Sequence, residues 1–96
     1  MIYKFSDDIV QKVWEKGTIA IGIDSNHRRK DMCGALIDRN MYGDRSSQNN
    51  TGWEIDHIKP ESDGGTDDLS NLRPLQWYNN ATKSDGGLTC PIKAKN

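Results

Sequence analysis

Asp56 and His57 stand side by side near the end of the alternating run Trp53-Glu54-Ile55-Asp56-His57-Ile58, which Pro60 closes. Further along, Asn80 and Lys83 lie three residues apart, a spacing that puts both on one face of a helix. If that helix packs across the strand, Asn80 can meet Asp56. A carboxylate and an amide oxygen would then form a half-shell of oxygen donors, which favours a hard divalent cation over zinc. His57, beside the ion but not bound to it, has the residue type of a general base. An imidazole with an ordinary pKa of about 6.5 takes a proton from water near neutral pH. Such a set suits hydrolysis of a phosphodiester: the activated water displaces the 3′ oxygen while the ion stabilises charge on the phosphate and the leaving oxygen. Asn71 is placed to hold the imidazole or its loop by hydrogen bonds, and Lys83 and Arg73 to hold phosphate oxygens or neighbouring backbone.

These residues need a scaffold, and the pattern supplies one. Residues 53–58 predict a strand, Asp63-Gly64-Gly65 a tight loop with glycines free to take positive φ, Thr66–Ser70 a single helical turn capped by Thr66, Asn71–Leu75 a second strand, and Gln76 to about Ser84 a helix. Strand, loop, strand and helix make a hairpin with a helix laid across it. Upstream, Ser6 is an N-cap, Asp7 and Asp8 complement the helix dipole, and Gly17 offers a stop, so a helix is expected from Ser6 to Lys16. Its Ile9, Val10, Val13 and Trp14 form one apolar face, read as core. The β-branched run Thr18–Ile23 reads as strand or extended chain, Cys33–Ile37 as a short strand, and Met41–Gly52 as an exposed loop. Trp53 and Trp77 are expected to anchor the core, and Glu54 to be a solvent-facing or ion-paired residue.

The bulk properties bound the rest. Ninety-six residues make one domain, and 33% hydrophobic against 28% charged residues leaves a thin core. Mean hydropathy is −0.87. No apolar run is long enough to span a bilayer, and Met1–Asp8 has no apolar stretch of the signal-peptide kind, so a cytoplasmic protein without membrane contact is expected. Cys33 and Cys90, far apart and outside any Cys-x-x-Cys pair, are then read as free thiols, with a single bridge from tail to mid-chain as the alternative. The net charge of −1 argues against a protein that coats nucleic acid by charge alone. Arg28, Arg29 and Lys30 form a local basic cluster suited to nucleic acid, beside an exposed, incidental His27, while Glu54, Asp56, Glu61, Asp63, Asp67 and Asp68 make the later stretch acidic. A cation between that stretch and a polyanion would reconcile the two.

Residues 53–60, Gly64-Gly65, the segment Asp68-Leu69-Ser70-Asn71-Leu72-Arg73-Pro74-Leu75 and the closing Asn79-Asn80-Ala81-Thr82-Lys83-Ser84-Asp85 together resemble the signature of HNH endonucleases, and a weaker likeness to small bacterial and phage HNH proteins runs upstream through Arg29-Lys30-Asp31 and Cys33-Gly34-Ala35. The resemblance implies an α+β, ββα-metal (His-Me finger) fold. It implies His57 as base, Asp56 and Asn80 as metal ligands, Asn71 in a structural role, and products with 5′-phosphate and 3′-hydroxyl ends. Asn80 stands where histidine is frequent, an HNN variant, and its amide oxygen makes Mg²⁺ the best choice, with Mn²⁺ or Ni²⁺ as substitutes. Gln76 and Asn79 stand where many relatives carry zinc-binding cysteines, so no structural zinc is expected.

The organisation expected is therefore residues 1–52 packing on the core, 53–85 carrying the nuclease motif and 86–96 a loose tail. The function expected is cutting or nicking of DNA, in preference to RNA, with low intrinsic sequence specificity. The alternatives are a catalytically silent nucleic-acid-binding module of the same fold and an antibacterial nuclease toxin. A homodimer or protein partner would explain double-strand cleavage.

Overall fold

The computed structural model describes residues 4–83 and 87–93. The motif end expected at Asp85 and the tail residues Gly86 and 94–96 lie outside that range; the last helix, expected to run from Gln76 to about Ser84, already ends at Ala81, with Thr82 as its C-cap. Helix α1 spans Asp7–Trp14, with the Ser6 side chain accepting from the Ile9 amide at 3.3 Å and Asp7 and Asp8 in the first turn. It ends earlier than its sequence suggests, because Gly17 turns the chain toward the following segment. Arg29 reinforces that turn by donating to the Glu15 and Gly17 carbonyls.

Strands β1 (Arg28–Lys30) and β2 (Leu36–Asp38) form one antiparallel pair, with Arg28 opposite Asp38, and Thr18 bridges to Lys30 on the outer edge. The run Thr18–Ile23, expected to be strand or extended chain, instead turns at residues 21–23, where Ile21 is fully solvated, while Ala20 is buried. The run fails as a strand because only Thr18 finds a partner edge. Strands β3 (Trp53–His57) and β4 (Leu72–Gln76) form the second antiparallel pair, in register from Trp53–Gln76 to His57–Leu72. Helix α2 (Trp77–Ala81) follows β4 directly, capped by the Gln76 side chain, which accepts from the Tyr78 and Asn79 amides. This is the α+β architecture expected, two short sheets and two helices, with a ββα unit at its C-terminal end.

The core lies between α1 and the β3–β4 hairpin: Val10, Val13, Trp14, Ile37, Trp53 and Leu72 are buried together. Trp53 sits between Trp14 and Tyr42, ring centroids 5.3 and 4.9 Å away. Trp77, also expected as a core anchor, is only half-buried and donates to the Ser47 carbonyl.

Behind the hairpin a polar network takes over. The Asp31 carboxylate, 2% exposed, accepts from the backbone amides of Cys33, Ala35 and Gln76 and from the Asn79 side chain. Asn79 also pairs with both backbone groups of Ile92. Gln76 and Asn79, both fully buried, thus spend their amide groups on hydrogen bonds. The cysteines are not free thiols: Cys33 and Cys90 are joined, their Cα atoms 5.4 Å apart. Asn79 and Asp31 bring the tail and the residue 31–35 turn to the same place, a proximity that a sequence separation of 57 conceals. Among the described residues no helix is long and apolar enough to cross a membrane.

Candidate active site

Strand β3 alternates, so Trp53 and Ile55 go to the core while Glu54 and Asp56 share the opposite face. Helix α2 lies over that face. Glu54 and Asp56, two apart on the strand, stand about 7 Å apart. Asn80 on α2 and Lys83, two residues past its end, meet them as two rungs: Asn80 Nδ2 donates to Glu54 Oε1 at 2.9 Å, and Lys83 Nζ donates to Asp56 Oδ1 at 2.8 Å. Asn80 thus bonds to Glu54, one rung before Asp56, although both Asn80 and Asp56 line one pocket. That pocket, about 290 Å³, is walled by Ile55, Asp56, His57, Pro60, Glu61, Asn80 and Lys83.

Asp56 is 5% exposed and receives two cations: Lys83 on one oxygen and Arg73 Nε on the other at 2.7 Å. Lys83 also donates to the His57 carbonyl at 2.6 Å. Both basic residues reach the carboxylate, and neither extends freely into solvent. Each carboxylate oxygen retains acceptor capacity after one such bond, so the donor set of Asp56 and Asn80 suits a hard divalent ion.

The His57 imidazole is held at Nε2, 2.7 Å from Asp67 Oδ1, with Glu61 3.7 Å from Nδ1. A carboxylate only accepts, so Nε2 donates to Asp67, and Nδ1 is the ring nitrogen on the Glu61 side. The Asp67 carboxyl is held below its ordinary range, first by this hydrogen bond and then by Lys4 nearby, so it is ionised at neutral pH. His57, Glu61 and Asp67 have potential ligand atoms all within 4.8 Å of one another, and Lys4 reaches both acids.

Asn71 does not touch the imidazole; it builds the loop beside it. Its side chain accepts from the Lys59 amide at 2.8 Å and donates to the Lys59 and Thr66 carbonyls. Gly64 takes φ 89°, whereas Gly65 is needed for closeness: a Cβ there would stand 1.7 Å from the Lys59 carbonyl oxygen. The loop carries Glu61 on a 3-10 turn, and a second such turn, Leu69–Asn71, leads into β4. Thr66, expected to cap a helical turn from 66 to 70, only receives the Asp68 amide at 3.3 Å, and the turn begins later, at Leu69.

The basic cluster is not part of this pocket. Arg28 pairs with Asp38 at 2.6 Å, and Arg29 is spent on the Ser25, Glu15 and Gly17 carbonyls. Lys30 is half-buried in β1, against a separate groove with Ile19, Ile21 and Ile23. Sequence reasoning missed Asp67 as the partner of His57 and Glu54 as the partner of Asn80. The second had a signal, since alternation already placed Glu54 on the face of Asp56.

An antiparallel hairpin bearing an Asp-His pair, crossed by a helix bearing the remaining polar residues, defines the ββα class of nuclease site. Residues 31–86, more than half of the chain, match the family model for HNH endonucleases, and the chain belongs to that family, whose members are nucleases. No curated protein and no solved structure matches it.

Proposed function

We propose that the protein is a metal-dependent endonuclease that cuts or nicks DNA, with His57 as general base and Asp56 and Asn80 holding one divalent ion, Mg²⁺ before Mn²⁺ or Ni²⁺. The observation that carries this reading is the pocket itself: a buried carboxylate, an amide and an imidazole line one small, open cavity. The bound ion would supply charge stabilisation at the phosphate and at the leaving oxygen. Nδ1 of His57 takes the proton of the attacking water, and Asp67 stabilises the imidazolium that results. Lys83 and Arg73 hold Asp56 in place, and Lys83 keeps positive charge at the pocket wall where phosphate would lie. Asn71 secures the loop that carries Glu61 and leads to Asp67.

The His57, Glu61 and Asp67 group offers a competing place for the ion. An imidazole ligating a cation there would no longer serve as base. Supercoiled plasmid with Mg²⁺ is the direct test, with EDTA and His57→Ala beside it and a structured RNA in parallel to decide the substrate class. Cleavage should vanish with EDTA and fall by about 10²- to 10⁴-fold in the folded His57→Ala protein. An unaltered rate in that variant removes His57 from the reaction. Binding without cleavage in Mg²⁺, Mn²⁺ and Ni²⁺ would establish the silent module instead.

A further inference from the structure

Asn80 can serve a cation only through Oδ1, because its Nδ2 carries two hydrogens and repels positive charge. The amide torsion is broad and close to two-fold, so an unrestrained asparagine presents the wrong end about as readily as the right one. Something must choose, and the neighbour of Asn80 is able to. Glu54 offers the oxygens of a carboxylate paired with Arg45, and its Oε1 lies 2.9 Å from Nδ2. An oxygen cannot replace nitrogen at that spot without placing two acceptors against each other. Nδ2 is therefore committed to Glu54, which leaves Oδ1 as the other corner of the planar amide, on a residue that lines the pocket.

Glu54 is itself held. Arg45 reaches it through both Nε and Nη2, the latter 2.7 Å from Oε1, and the pair is only partly exposed on the glutamate side, 19%. The Arg45 guanidinium also lies 5.4 Å from the Trp77 ring, at the start of α2. Loop, strand and helix are thus tied through three residues: Arg45 from the loop, Glu54 from β3 and Asn80 from α2. Reading Glu54 as a mere ion-paired residue accounts for its bond to Arg45 but not for its bond to Asn80.

We infer that Glu54 is a positioning residue for the metal site: it fixes the orientation of the Asn80 amide so that Oδ1 faces the pocket, and Arg45 in turn fixes Glu54. The inference rests on the reading of Asp56 and Asn80 as metal ligands. It accounts for how an asparagine can stand at this position without a second ligand atom to choose its orientation, and it assigns a task to the loop that carries Arg45.

Mn²⁺ binding to the purified full chain, followed by the electron paramagnetic resonance signal of the free ion, tests both layers. Glu54→Ala should weaken binding by about tenfold, as loss of a partner to a ligand does. Glu54→Gln, which has the same shape but can donate as well as accept, should show a smaller loss in the same direction. Arg45→Ala should fall between wild type and Glu54→Ala. In plasmid cleavage, the Glu54 variants should need more Mn²⁺ yet reach nearly the wild-type plateau, whereas general damage would lower the plateau. Circular dichroism checks the fold; if Glu54→Ala does not fold, Glu54→Gln decides. Asp56→Ala and Asn80→Ala separate the two claims. If they lose Mn²⁺ while both folded Glu54 variants titrate as wild type, the positioning role is overturned and the ligand assignment stands. If they bind Mn²⁺ as wild type does, the ligand assignment fails and the positioning role with it.

Discussion

Asn71 shows how one side chain can matter to a site without entering it. Its amide closes the loop between β3 and β4 from both sides, with one acceptor bond and two donor bonds to backbone that would otherwise face solvent or nothing. Each such bond contributes about 0.5–1.5 kcal/mol net. Asn71→Ala is therefore expected to lower stability by about 1–3 kcal/mol in urea denaturation and to reduce cleavage as well. Asn71→Asp should recover little, since a carboxylate cannot donate to the two carbonyls. A variant with unchanged urea midpoint would show that Gly64, Gly65 and the backbone bond from Ile58 to Asn71 suffice to hold the loop.

At the scale of elements, the short β1–β2 pair depends on charge as much as on apolar packing. The Asp38 carboxyl is held below its ordinary 3.8, chiefly by Arg28 and also by the Thr51 hydroxyl, with burial opposing. A carboxyl whose folded pKa is depressed contributes stability above its unfolded pKa and loses it as pH falls through the folded value. The Arg28 side chain is 39% exposed, so solvent screening reduces the pair to about 0.5–1 kcal/mol. Asp38→Asn should accordingly lower the urea midpoint at pH 7, and the gap to wild type should narrow at an acid pH below 3.8. A gap of equal size at both pH values would place the effect in shape or hydrogen bonding. Helix α2, by contrast, is too short to be stable alone. It exists because Gln76 caps it and Asn79 ties it to Asp31 and Ile92, and these anchors set the height at which Asn80 and Lys83 meet β3.

For the whole molecule, a thin apolar core is supplemented by one covalent and one polar staple. The Cys33–Cys90 bond closes a loop of 57 positions, which removes about 4 kcal/mol of chain entropy from the unfolded state in the simplest model. Reduction by dithiothreitol, or a Cys33→Ser, Cys90→Ser double variant, should lower stability by about 2–4 kcal/mol. Equal denaturation midpoints with and without reductant would show that the Asn79–Ile92 and Asp31 hydrogen bonds hold the tail unaided. The polar staple ties α2 to Asp31 and Ile92 through Asn79, next to the Asn80 that lines the pocket.

Much of this protein was legible along the chain because the signals are local. Serine before two aspartates and an apolar stripe specify α1; alternation specifies β3; two glycines specify a loop, and the order of these elements specifies the ββα unit. Polar residues that lack a local role were legible as a candidate site for the same reason. What tertiary structure alone decided is every pairing between distant groups. The basic run 28–30 becomes a strand because Leu36–Asp38 and Thr18 supply its edges, and two of its three charges are used internally. Likewise Asn80 bonds to Glu54, His57 faces Asp67, and Cys33 finds Cys90. A strand or a helix is encoded by neighbours in sequence, but hydrogen bonds and disulfides form at distances of a few ångströms, and the packing of α1 and α2 on the hairpin sets those distances.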